Sequence, residues 1–98
     1  MYYATTPLSV KIRITEELWS YIVTVKHPSM RNRINDILQI LSDPIQIRRS
    51  KRDRAVYLYY GKNDLFICAV CKHLNGEGFL ITAYMTDKMK TGEVVWKK

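Results

Sequence analysis

A histidine ahead of a proline, a hydroxyl and a phenol two residues apart, and a dense run of arginines are the groups here that can move protons and hold phosphate. His27 precedes Pro28, Thr82 and Tyr84 flank Ala83, and residues 48–54 read Arg-Arg-Ser-Lys-Arg-Asp-Arg. Cleaving RNA without a metal requires a base for the 2′-hydroxyl proton and an acid for the leaving 5′ oxygen. It also requires cations or hydrogen-bond donors for the charge on phosphorus. An imidazole titrates near neutral pH, which makes His27 the proton-transfer candidate. Tyr84 can donate a proton or offer a stacking face to a base, and Thr82 can donate a hydrogen bond to phosphate. Arg49 can neutralise that phosphate, helped by Lys51 or Arg52. Each group also has an ordinary reading: a loop histidine, a β-favouring threonine, an interface aromatic, solvated loop charge.

Sixteen Lys and Arg against nine Asp and Glu leave a net charge of +7, and residues 48–54 alone carry five positive charges and one negative. Such a patch attracts a polyanion by steering and counterion release. RNA contact is therefore expected at Arg48, Lys51, Arg52 and Arg54, with Tyr60 as an aromatic neighbour. Tyr57, Tyr59 and Tyr60 beside a basic run suit single-stranded RNA, although tyrosine is also a good strand former. Cys68 and Cys71 have C-x-x-C spacing but no second pair or nearby ligand set, so they read as buried free thiols, and neither metal nor cofactor is expected. The first residues lack the basic and apolar regions of a signal peptide, and no apolar run approaches bilayer length. The expectation is one soluble, cytoplasmic domain over all 98 residues, with no membrane contact.

The elements that must position these groups follow from periodicity. Residues 8–14 alternate Val10, Ile12 and Ile14 with Ser9, Lys11 and Arg13, as a half-buried strand does. Thr15 is placed to cap a helix with Glu16 and Glu17 in its first turn, and Pro28 interrupts that helix, with His27 held extended before it. Ser29 is read as the cap of a second helix carrying Ile34, Ile37, Leu38 and Leu41, which Asp43-Pro44 ends. Residues 55–60 form a strand. Asn75-Gly76 then predicts a two-residue type I′ turn in a hairpin over residues 65–84. That turn sets Val70 opposite Ile81 and Thr82 opposite Ala69. Residues 85–90 could form one helical turn, with Val94, Val95 and Trp96 docking as a strand or arm. The fold class expected is α+β: an N-terminal strand, two helices, then a three- to four-stranded antiparallel sheet.

In this order the elements resemble the RelE-like branch of the barnase, EndoU, colicin and RelE group of small ribonucleases. Residues 31–44, Arg-Asn-Arg-Ile-Asn-Asp-Ile-Leu-Gln-Ile-Leu-Ser-Asp-Pro, are similar to the second helix and following Asp-Pro of that branch. Residues 55–60 and 65–73 resemble its central strands. Ile81-Thr82-Ala83-Tyr84 with His27-Pro28 looks more like the phage-associated branches of the group. The pattern departs from RelE in lacking an arginine-dense sheet, since Arg48 and Arg49 precede the central strand. The resemblance implies a metal-independent endoribonuclease with His27 set against Thr82 and Tyr84 of the last strand, and the expected cleft has Arg49 nearby. It implies the toxin of a toxin and antitoxin pair, whose partners are RNA and a small acidic antitoxin. The competing reading is a noncatalytic nucleic-acid-binding or regulatory module.

Overall fold

The computed structural model describes residues 1–90 and 92–98, and seven strands and two short helices account for most of them. The strands are β1 Tyr2–Thr5, β2 Lys11–Ile14, β3 Gln46–Arg49, β4 Val56–Asn63, β5 Leu65–Leu74, β6 Glu77–Thr86 and β7 Glu93–Lys97. They form one sheet in the order β1-β2-β6-β5-β4-β3-β7. Every pairing is antiparallel except β2 with β6, which is parallel. The expected strand, two helices and three- to four-stranded antiparallel sheet is therefore corrected to a seven-stranded mixed sheet. Two causes are physical. Tyr2–Thr5 shows no alternation of polarity yet gains the ladder of β2, and Glu93–Lys97 crosses to the far edge to pair with β3.

The helices are shorter than their periodicity suggested. Helix α1, Glu16–Tyr21, begins where Thr15 Oγ1 accepts from the Leu18 amide at 3.1 Å, a cap that stabilises by about 1 kcal/mol. It widens at once into a π-helical turn, Ile22–Lys26, closed by the His27 amide on the Ile22 carbonyl at 2.7 Å. Pro28 has no amide hydrogen to extend the ladder. It instead opens a single 3-10 turn, Pro28–Met30. Ser29 caps nothing, because Asn32 adopts φ +64 and breaks the chain again before helix α2, Ile34–Ser42. Among the described residues no helix is long and apolar enough to cross a membrane.

Helix α2 packs on β1, β4 and β5, so one sheet face is covered. Ile12, Ile14, Ile22, Ile37, Leu41 and Ile67 are among the side chains fully enclosed there. A smaller apolar cluster of Leu58, Tyr60 and Cys68 lies on the opposite face, joined by Val70, Tyr84 and Met89. Among the described residues no helix packs on this second face, and it is the open one.

The hairpin turn has φ +37 at Asn75 and +90 at Gly76, with Leu74 opposite Glu77 as a two-residue turn requires. The predicted register holds as far as Cys71 opposite Leu80. A β-bulge then inserts Ile81, so that Val70 faces Thr82, not Ile81, and Cys68 faces Tyr84. Thr82 is thus not beside Ala69, which correction moves Thr82 and Tyr84 together to the open face. The helical turn read over residues 85–90 is also absent at its start, because β6 continues to Thr86.

Candidate functional site

Two cross-strand rows on the open face meet at the bulged strand. Arg48, Leu58, Val70 and Thr82 form one row, and Gln46, Tyr60, Cys68 and Tyr84 the next. Beside them lies a cleft of about 530 Å³ with Leu58 and Val70 on its floor, Thr82 and Tyr84 on one side, and Lys51, Arg52 and Lys90 as its cations. The Lys90 ammonium stands 5.0 Å from the centre of the Tyr84 ring, a cation–π approach.

His27 reaches this region from the helical side. Strand β2 pairs with β6 only from Glu77 to Phe79, and the Pro28–Met30 turn packs against β6. The break at Pro28 thereby sets the His27 ring 5.7 Å from that of Tyr84, tilted by 41°. His27 touches the cleft through Tyr84.

Two hydroxyls here have no partner among the described residues. Thr82 Oγ1 and Tyr84 Oη are enclosed and accept or donate no hydrogen bond within the protein. Buried polar atoms are paired in most proteins, and these two at the margin of the cleft are exceptions. Burial and the neighbouring Cys68 hold the Tyr84 phenol well above its ordinary range. It therefore stays protonated, an O–H with a proton to donate.

The remaining residues singled out from the sequence have other positions. Arg48 donates through Nε to Gln46 Oε1 and through Nη1 to the Lys90 carbonyl, both at 2.6 Å, and so ties down the segment after β6. Tyr60 is fully buried, its hydroxyl accepting from the Lys90 amide at 3.0 Å, with burial pushing its pKa up to about 12. Neither is presented to a ligand as a free group. Arg49 pairs with Tyr57 on the covered side of the sheet, opposite to Thr82 and Tyr84. Its Nε donates to the Arg54 carbonyl at 2.8 Å, and its guanidinium lies 5.5 Å from the Tyr57 ring. The Arg54 side chain is exposed.

Arg49 belongs instead to a second cluster around His73. The His73 ring stacks on Tyr57 at 3.7 Å and 11°, and its Nε2 shares a 2.8 Å hydrogen bond with the Tyr59 hydroxyl. Burial, with the Arg49 charge as a lesser cause, lowers the His73 pKa to about 4. Both thiols are free, one on each side of the sheet; burial raises Cys68 to about 11 and Cys71 well above its usual value. Among the described residues no three His, Cys, Asp or Glu side chains are gathered as a metal site needs.

No protein-family model, curated protein or solved structure matches this chain. The resemblance to small ribonucleases rests on the residues quoted for it. Lys90 and Ser50 are parts of the cleft that the sequence did not mark. Lys90 lies 30 residues from Tyr60 along the chain, and only the crossing of the tail brings them together.

Proposed function

We propose that this protein is a metal-independent endoribonuclease that holds RNA on the open face of its sheet. The observation that carries this reading is the approach of His27 to Tyr84 beside a cleft walled by Lys51, Arg52 and Lys90. In the proposed step the His27 imidazole takes the 2′-hydroxyl proton and the 2′ oxygen attacks phosphorus. The bond to the 5′ oxygen breaks, that oxygen takes a proton from water, and a 2′,3′-cyclic phosphate remains. Lys51, Arg52 and Lys90 offset the developing charge, while Thr82 and the protonated Tyr84, whose hydroxyls are enclosed in the free protein, donate to phosphoryl oxygens only after side-chain rotation exposes them. The net charge of +7 supports a small acidic protein as the competitor of RNA for this face.

Cleavage of a labelled RNA by the purified protein in EDTA tests the proposal. His27→Ala should slow it by about 10²–10⁴-fold, the range for losing a general base, with RNA affinity and melting temperature nearly unchanged. Undiminished cleavage in that variant sinks the assignment. A second reading, RNA binding without cleavage, is favoured by the enclosure of both hydroxyl oxygens and by the position of His27 behind Tyr84. Tight binding with an intact RNA product identifies it.

A further inference from the structure

The open face carries a third cross-strand row, which neither the cleft nor the proposed chemistry uses. Tyr3 pairs with Arg13, Arg13 with Phe79, Phe79 with Lys72, and Lys72 with Val56. Directly opposed residues of neighbouring strands share one face, so the row reads aromatic, cation, aromatic, cation. Tyr3 is 52% exposed and Phe79 partly so, although both carry large aromatic rings. Arg13 is exposed, and Lys72 is shared with Asp53 at 3.3 Å. A third cation flanks the row, since the Lys11 ammonium stands 4.5 Å from the Tyr3 ring centre.

We infer that this row is a stacking platform for single-stranded RNA, continuous with the cleft, so that bases lie on Tyr3 and Phe79 while Arg13 meets the phosphate between them. Two strand spacings, about 10 Å, separate the two rings, which lets each hold its own base. A duplex buries the faces of its bases, and an aromatic platform has nothing to stack on in it. A solvated charged face would need no aromatic between its cations. Here the parallel pairing of β2 with β6 inserts Arg13 beside Phe79, and the antiparallel pairing of β1 adds Tyr3 on its other side. This inference rests on the RNA-binding part of the reading above and names the strandedness of its substrate.

The test is the affinity of the full chain for a labelled oligouridine of about twelve nucleotides and for an RNA duplex of similar length. The single strand should bind more tightly. Tyr3→Ala and Phe79→Leu should each weaken it by about tenfold without changing its salt dependence, because stacking releases no counterions. Arg13→Gln should lower the slope of log affinity against log salt by about 0.7. Tyr3 lies at an exposed edge, so its variant keeps the test decisive if Phe79→Leu folds poorly. Equal affinity for duplex and single strand overturns the inference, as does unchanged affinity in Tyr3→Ala while replacement of Lys51, Arg52 and Lys90 abolishes binding. In that last case the cleft reading survives alone; failure of the unaltered protein to bind either RNA overturns both.

Discussion

His73 shows how one side chain couples this fold to pH. Its pKa of about 4 in the folded protein lies below the ordinary 6.5. Between those values the unfolded chain holds more protons, so stability rises with pH across the window and is lost as pH falls from about 6.5 toward 4. Because the ring is only half-buried, solvent screening leaves about 1–2 kcal/mol of the full linkage. Between pH 7 and pH 4.5, the melting temperature of the unaltered protein should therefore fall by several degrees more than that of His73→Gln. A parallel fall in both would place the acid sensitivity elsewhere. His73 was not legible as a partner of Tyr57 and Tyr59, since stacking depends on how β4 and β5 align. The meeting of His27 with the last strand was more legible, because a proline must break the helix wherever it falls. What the sequence hid at this scale is enclosure: nothing in Thr82 or Tyr84 announces that its hydroxyl has no partner.

At the level of elements, the bulge at Ile81 decides which face the site occupies. Asn75-Gly76 marks the turn unambiguously because few dipeptides accept two positive φ angles, and the first paired residues follow from it. Ile81 carries no such mark, being an ordinary strand former that serves equally well paired or extra. The helices were overread for a similar reason. Apolar spacing continues through residues 18–41, whereas the hydrogen-bond ladder is cut by Pro28 and again by the left-handed Asn32. Gly78 supplies a test of how tightly β6 is held between β2 and β5. A Cβ there would meet the Lys72 carbonyl oxygen and come within 3.0 Å of Ile12 Cδ1. Gly78→Ala should cost about 1–3 kcal/mol in urea unfolding, as overpacking against immovable backbone does. Wild-type stability in that variant would show that the two strands part more easily than their ladder suggests.

Across the whole molecule, the cations are divided between the two faces of the sheet, and the division has a measurable consequence. Lys51, Arg52 and Lys90 wall the cleft, while Arg49 is held on the other side by Arg54 and Tyr57. Replacing the first three by Ala should lower the slope of log RNA affinity against log salt by about 2, at roughly 0.7 per phosphate contact on a single strand. Arg49→Ala should leave that slope alone. An equal loss in both would assign RNA to both faces. The basic run was legible as a whole and not as two populations, because strand alternation splits Arg48 from Arg49 only once their register on β4 is known.

The segment between β6 and β7 also sets a length. It leaves the sheet at Thr86 and rejoins it at Glu93, on the far side of β5, β4 and β3. Four strand spacings come to about 19 Å before any shift along the strands is counted, and seven residue steps reach about 25 Å at full extension. Residues 86–90 turn at Lys88, which bonds Thr86 Oγ1, and the Lys90 amide on the Tyr60 hydroxyl holds that lysine beside Tyr60 and Tyr84. Removing two residues from residues 87–89 would leave about 18 Å of reach, too short for the crossing, and β7 would peel from β3. Added residues would lengthen the crossing and let Lys90 drift from the cleft.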